Sequence, residues 1–236
     1  MRAILMAAGT GNRISKDVTK PKSTLEVLDT TIIAHTVDML IRNGIDVSVV
    51  VGYRKEEICA NLSGRAVRFF FNPFYRVSNS SASLWFAREL MDGEEDILLI
   101  NADIFWEQPM LDIIMSDDSD AMMFGDASRA DNGDFFFNTV DGKITAYGKE
   151  LKREERNADS VGIAKVGKGF ARKFRKWLES HVENEKYGAL WENIFCERSK
   201  ETDVHVRDVD GHFWAEVDRI EDYERIKNYL SNKSGT

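Results

Sequence analysis

The chain opens on an apolar run, Ala3-Ile4-Leu5-Met6, that empties into Ala7-Ala8-Gly9-Thr10-Gly11-Asn12-Arg13. A strand ending in small residues constrains the fold severely: the strand needs a sheet to bury it, and the loop needs something to approach. Small side chains let backbone N–H groups come close to an anion, and successive amides can form an anion-binding nest. Arg13, Lys16, Lys20 and Lys22 set four positive charges against the single Asp17, in a chain of net charge −8. That local reversal of sign suits a bound triphosphate. Ala7, Ala8, Gly9, Thr10, Gly11, Asn12, Arg13 and Lys22 are therefore the candidate nucleotide-binding residues.

The pattern after the loop predicts what kind of sheet this is. Helical spacing over Thr31–Asn43 ends at Gly44, and Val47–Val51 is a continuous β-branched run of the sort buried on both faces. A short helix over Lys55–Leu62, a strand over Val67–Phe71, a helix over Ser80–Met91 and a buried strand over Ile97–Asn101 continue the alternation. This βαβαβ rhythm predicts an α/β fold, a Rossmann-like mixed and mostly parallel sheet with helices on both faces. Ligands in such sheets bind beyond the carboxyl ends of the strands, which is where Gly9 and Asp103 fall.

The second half changes character. Asp141-Gly142 joins Phe135–Val140 to Lys143–Tyr147 as a hairpin, and Asp210-Gly211 joins Val204–Val209 to His212–Val217 in the same way. Ser160–Val166 reads as a strand, and Phe170–Val182, Ala189–Cys196 and Ile220–Leu230 read as helices. Residues 1–230 are expected to form one domain, with a small hairpin-and-helix lid inserted at about 126–200 and a frayed tail over 231–236. The acidic balance argues against a nucleic-acid partner, which wants a basic stripe. Cys59 and Cys196 form no metal or redox spacing, the opening apolar run is too short for a signal peptide, and no run spans a membrane. A cytoplasmic, reduced setting is the expectation.

Two common phosphate loops are excluded: the dinucleotide fingerprint fails at Ile14, and no G-x-x-x-x-G-K-[ST] occurs. What remains is G-x-G-x-R followed by Pro21-Lys22-Ser23. With that string in view the chain resembles the nucleotidyltransferases that join a nucleoside triphosphate to a small phosphorylated alcohol or sugar. The resemblance implies that the glycine loop wraps the triphosphate while Arg13 and Lys22 neutralise it.

Asp103 follows an apolar strand directly. In Glu216-Val217-Asp218 the period of two puts both acids on one face. Three carboxylates beside a triphosphate repel one another unless a divalent cation lies between them, and magnesium suits oxygen donors. The resemblance implies the same: Asp103, Glu216 and Asp218 as ligands of Mg²⁺. Where the family often shows Asp-x-Asp this chain has Asn101-Ala102-Asp103, so Asn101 is expected to orient rather than bind. The alternative for Glu216 and Asp218 is a solvated strand end and a helix cap. Arg13, Lys22, Asp103 and Asp218 are the catalytic candidates. The acceptor oxygen is already anionic, so no general base is needed, and His35, His181, His205 and His212 offer none.

The Gln-x-x-x-x-Gly-Thr-Ala stretch of sugar nucleotidyltransferases is missing. In its place stands Asn72-Pro73-Phe74-Tyr75, then Asn79 through Ser83-Leu84, and near the end Leu190-Trp191-Glu192-Asn193. These resemble the bacterial phosphocholine cytidylyltransferases and the related phosphoethanolamine and 2-aminoethylphosphonate enzymes, which implies CTP as the nucleotide. Asn79 and Ser83 are candidate base or ribose contacts, helix capping being the equally simple reading. For the acceptor, Phe135, Trp191 and Trp214 could cage a quaternary ammonium, whereas Asp134 or Glu192 would meet a primary amine. Lys165 is the candidate for the acceptor phosphate. A sugar 1-phosphate or inositol phosphate acceptor, or a nucleotide-binding regulatory module without catalysis, are the rival readings.

Overall fold

The computed structural model describes residues 1–11 and 20–234. In chain order the strands and helices are β1 (Arg2–Ala7), β2 (Glu26–Val27), β3 (Thr30–Thr31), α1 (Ile32–Arg42), β4 (Asp46–Val51), α2 (Lys55–Asn61), β5 (Val67–Phe71), α3 (Ser80–Phe86), β6 (Ile97–Asn101) and β7 (Ile104–Trp106). There follow α4 (Gln108–Ser116), β8 (Ala121–Asp126), β9 (Phe136–Val140), β10 (Lys143–Gly148), β11 (Ala158–Val166), α5 (Lys168–Glu183), α6 (Glu192–Glu197), β12 (His205–Asp208), β13 (Trp214–Glu216) and α7 (Ile220–Ser234).

Nine strands form one sheet in the order β5-β4-β1-β6-β11-β8-β12-β10-β9. The first four are parallel, β11 is antiparallel to both of its neighbours, and β12 is parallel to β8. The expected mixed, mostly parallel sheet is therefore present in the half that carries the glycine loop. Its inner strands β1, β4 and β6 are mainly apolar and buried because both faces are covered, while the edge strand β5 is largely exposed. Ala3, Leu5 and Ala7 of β1 pack with Val37 and Leu40 of α1 and Leu111 of α4. Ile4 and Met6 pack with Leu84 of α3 and with Phe174 and Leu178 of α5. Each fully buried Leu or Ile of these layers contributes about 1.5–3 kcal/mol.

The segment expected as an inserted lid divides in two. Its strand β11 is central, hydrogen-bonded to β6 along Ile163–Val166. The β9–β10 hairpin turns at Asp141-Gly142, both in the left-handed region as a two-residue turn requires, and joins the sheet through β12 and β11. A register break in β11 between Ser160 and Ala164 turns its first residues toward β9.

The second expected hairpin does not form. Asp210-Gly211 does turn the chain, with φ of +53° and +73°, but the flanking strands have other partners. β12 lies beside β8 and β10, while β13 pairs with β7 as a separate two-stranded sheet. A local turn signal says nothing about which long-range edge takes each arm. β7, α4 and β8 had no reading in the sequence. Helix α7 continues to Ser234, past the expected end at Leu230, held by Ile226 and Leu230 against Ala215 and Val217. Among the described residues no helix is long and apolar enough to cross a membrane, and both cysteines are free.

Candidate active site

The glycine loop leaves β1 with its backbone pinned. The Ala8 carbonyl accepts the Tyr53 N–H at 3.1 Å. Gly52 presses so closely that a Cβ there would lie 2.8 Å from the Ala8 carbonyl oxygen and 2.8 Å from Tyr75 Cβ. Gly11 has φ +61°, and a Cβ on it would meet Lys22 Cγ at 3.0 Å, so glycine is required for conformation and for room together. Lys22 opens a single 3₁₀ turn, Lys22–Thr24, in which the Pro21 carbonyl accepts both the Thr24 N–H at 2.9 Å and its hydroxyl at 2.8 Å. Ala7, Gly9, Gly11, Lys22 and Asp103 line one small cavity, bringing the first and third parts of the sequence reading together. Asn12 and Arg13 lie outside the described residues.

The acids are joined by backbone. β13 pairs with β7 so that Glu216 stands opposite Ile104, and the Val217 N–H donates to the Asp103 carbonyl at 3.0 Å. Asp103, Glu216 and Asp218 thereby meet from opposite halves of the chain. Lys22 Nζ lies 3.5 Å from Asp103 Oδ2 and donates to Asp218 Oδ1. Burial opposes the charge on Lys22, but Asp103 and Asp218 outweigh it and hold the ammonium above its usual range. Burial raises the Asp103 carboxyl, Lys22 opposing and Asp218 adding to the effect. Burial and then the charges of Asp103 and Asp218 push Glu216 well above the carboxylate range. The Asp222 carboxylate accepts from the Asp218 and Arg219 N–H groups at 3.1 and 2.8 Å, fixing the end of the acidic segment.

Three carboxylates crowded around one ammonium could accept further positive charge. The donors are all carboxylate oxygens, which suits a hard divalent cation such as Mg²⁺. Among the described residues no three His, Cys, Asp or Glu side chains are already closed into a metal cage; Lys22 stands between Asp103 and Asp218 instead.

Beside the acids opens a second cavity of about 360 Å³. On its floor the Asn101 amide accepts from Trp191 Nε1 at 2.8 Å and donates to Glu192 Oε1 at 3.0 Å. Gly162, at φ +77°, makes this possible, since a Cβ there would lie 2.7 Å from Asn101 Nδ2. Asn101 thus orients, as read from its sequence. Glu192 is 3% exposed, and among the described residues its Oε2 has no hydrogen-bond partner. Burial raises its pKa to about 7. Phe135 stacks on Tyr147 with ring centres 5.4 Å apart, and Lys149 Nζ sits 4.5 Å from the Phe135 ring centre. Lys149 also lies 3.7 Å from Asp134. Trp214 donates Nε1 to Asp126 at 2.8 Å and carries the Arg129 guanidinium 5.1 Å from its ring.

Several assignments are corrected. Lys165 is beside Leu98, at the end of the sheet opposite Asp103; its ammonium is buried against the Asp117 carbonyl and 3.7 Å from Asp96. It cannot meet an acceptor phosphate. Trp191 is fully buried behind Asn101 and contributes no ring face to the cavity. Ser83 is buried, its hydroxyl accepting from Asn72 at 3.0 Å, and Asn79 caps α3 by accepting the Ser80 N–H at 2.9 Å. Neither lines either cavity. The sequence reading missed Tyr147, Asp159, Arg129 and Arg225, which line the acceptor-side cavity. Asp159 is visible only in three dimensions. It accepts from the Asp134 and Phe135 N–H groups at 3.1 and 3.3 Å, and Gly133 fits over it because a Cβ there would be 2.1 Å from its Cγ.

Comparison with known proteins agrees with this architecture. The choline-phosphate cytidylyltransferase of Streptococcus pneumoniae is 26% identical over 244 residues, covering 99% of this chain and 100% of that one. The 2-aminoethylphosphonate cytidylyltransferase of Lancefieldella rimae is 27% identical, covering 92% and 88%. The solved CTP:phosphocholine cytidylyltransferase of Streptococcus pneumoniae superposes with a TM-score of 0.80 at 23% identity over 97% of this chain and 98% of that one, a likeness of fold. The nucleotidyl transferase family model matches residues 2–148, a stretch that holds the glycine loop, Lys22 and Asp103. That match spans more than half of the sequence, and the chain belongs to the nucleotidyl transferase family.

Proposed function

We propose that this nucleotidyltransferase moves CMP from CTP, with Mg²⁺, onto a small phosphorylated or phosphonate acceptor that carries a primary amine, such as phosphoethanolamine or 2-aminoethylphosphonate. The names of its relatives support a cytidylyl donor and an amino-alcohol-like acceptor. The observation that carries the finer choice is Glu192 Oε2, an unpartnered oxygen in the wall of the acceptor cavity. An ammonium with N–H groups satisfies it by a charge-assisted hydrogen bond; a quaternary ammonium has no N–H to give. A quaternary cage would instead need open ring faces. Trp191 is withdrawn, while Phe135 and Trp214 already carry Lys149 and Arg129.

In this reading an acceptor oxygen attacks the α-phosphorus of CTP in line. The new P–O bond forms as the bond to the bridging oxygen breaks, and pyrophosphate leaves. Lys22, with Arg13, neutralises the leaving phosphates, and the amides of the glycine loop hold them in place. Asp103, Glu216 and Asp218 would hold Mg²⁺, whose chemistry when bound is charge neutralisation and alignment of phosphate oxygens. No side chain needs to take a proton, because the acceptor oxygen is already ionised near neutral pH.

The test is pyrophosphate release over CTP, ATP, GTP and UTP, with phosphoethanolamine, 2-aminoethylphosphonate, phosphocholine and glucose 1-phosphate as acceptors. The expected result is activity with CTP that disappears on chelation and returns with Mg²⁺, with kcat/KM higher for the primary amines than for phosphocholine. Preference for phosphocholine or for the sugar phosphate would refute the assignment of Glu192.

A further inference from the structure

We infer that Arg225 and Arg129 form an oxyanion-binding wall in the acceptor-side cavity, the place where the phosphoryl or phosphonyl group of the acceptor docks. Both line the cavity whose wall also includes Glu192, Trp214 and Asp218. The inference rests on the proposed acceptor class for its substrate, and on the geometry alone for the anion site.

Arg225 is the unusual member. It stands on the second turn of α7, next to the buried Ile226 that fixes this helix against β13. It is half-buried, yet among the described residues it makes no ion pair within 4 Å and no side-chain hydrogen bond; its guanidinium lies 5.4 Å from the Phe213 ring centre and feels the charges of Asp222, Asp159 and Asp126 only at longer range. The acids around it are committed elsewhere. Asp159 serves Arg129 at 3.2 Å and two backbone N–H groups, Asp126 holds Trp214 and Ser128, and Asp222 holds the amides of Asp218 and Arg219. Burial and then the charge of Arg129 lower the Arg225 pKa. Two guanidinium groups sharing a cavity wall repel, and the arrangement costs stability until an anion lies against them. A planar fork of N–H donors matches a tetrahedral oxyanion better than an ammonium does.

The wall also gives the cavity a polarity. Glu192 lies among buried acids near Asn101, while the guanidinium groups stand on the side built by α7 and the loop after β8. A zwitterion with one amine and one phosphonate fits that division, and the failure of Lys165 to reach the site leaves its role open for Arg225.

The test compares wild type with Arg225→Gln and Arg225→Lys. Calorimetric titration with methylphosphonate is expected to show affinity weakened about tenfold or more in Arg225→Gln and by a clearly smaller factor in Arg225→Lys, which keeps the charge but not the fork. With 2-aminoethylphosphonate as acceptor, KM for the acceptor rises by a similar factor in Arg225→Gln while KM for CTP stays within about twofold. The melting temperature changes little, because Arg225→Gln gives up the Phe213 ring contact and distant acid attractions but also relieves the repulsion from Arg129. If wild type transfers CMP to no acceptor, the proposed reaction fails, but loss of methylphosphonate binding in Arg225→Gln still upholds the anion wall. Equal methylphosphonate affinity in wild type and Arg225→Gln, absence of binding to wild type, or unfolding of both variants would overturn it.

Discussion

The Val217 N–H donates to the Asp103 carbonyl at 3.0 Å, across 114 residues of sequence. That one backbone bond, with the pairing of Glu216 opposite Ile104, brings two acidic segments to one point without any side chain having to reach. Lys22 then closes the cluster from a third segment. Position is therefore set by sheet hydrogen bonds, and charge balance, among the described residues, by the Lys22 ammonium.

Lys22→Ala is expected to lower kcat by about 10²–10³-fold, with a smaller change in KM for CTP, since its charge is most needed as the leaving phosphates gain charge. The same variant leaves Asp103, Glu216 and Asp218 facing one another without their ammonium. Its melting temperature should fall without Mg²⁺ and recover with it by more than wild type does. Steady-state kinetics and thermal melts with and without Mg²⁺ check both; near-normal turnover would remove Lys22 from the mechanism.

Gly11→Ala combines a left-handed φ of +61° with a 3.0 Å approach to Lys22 Cγ. The backbone term is about 1–2 kcal/mol, and the contact displaces Lys22 from Asp218. Turnover should fall more than stability. Gly9→Ala, where a Cβ meets nothing within 4 Å, serves as the comparison, and a larger turnover loss there than at Gly11 contradicts the argument.

Asn101→Ala removes the acceptor of Trp191 Nε1 and the donor to Glu192 Oε1 together. Two buried groups left unsatisfied cost about 2–6 kcal/mol. At about 2–4 °C per kcal/mol for a chain of this size the melting temperature drops by several degrees. Acceptor KM rises as Glu192 loses its orientation, while KM for CTP holds. A variant that melts like wild type shows that the clamp is not a structural element.

The half of the molecule that was legible in sequence is the half where local pattern and tertiary role coincide. Ala3-Ile4-Leu5-Met6 and Ile97–Asn101 are buried on both faces and look so, and Gly11 and Lys22 announce a loop that the fold then uses. The acceptor side was not legible for a physical reason. Asp210-Gly211 turns the chain as its residues require, but hydrogen-bond partners from β8 and β7 decide where the arms go. Lys165 and Trp191 read as acceptor contacts because their side chains suit a phosphate and a cation, and only the pairing of β11 beside β6 and the approach of Asn101 withdraw them from the cavity. Arg225 looks like any charged residue on a surface helix until the cavity beside it is seen. Part of the acceptor side did carry a signal: Asp134, Phe135, Glu192 and Trp214 were named from their residue types and do line the cavity, whereas Tyr147, Asp159, Arg129 and Arg225 carried none.

Glu192 gives a pH dependence whose sign is fixed. Its carboxyl titrates at about 7 in the folded protein, against an ordinary value of 4.5, because burial disfavours the anion. Below about pH 4.5 both folded and unfolded chains hold the proton, and the residue is neutral with respect to stability. Between about 4.5 and 7 the folded chain binds more protons than the unfolded one, so stability falls as pH rises. Above about 7 the loss is complete, at about 3 kcal/mol for the shift. Glu192→Gln keeps the shape of the neutral acid and has nothing to ionise. Thermal or denaturant unfolding of both proteins from pH 5 to 8 should therefore show the variant gaining on wild type as pH rises, with the two near each other at pH 5. Parallel stability curves would mean that Glu192 ionises in the folded protein as easily as in water, and the unpartnered oxygen would then be no special receptor for an ammonium.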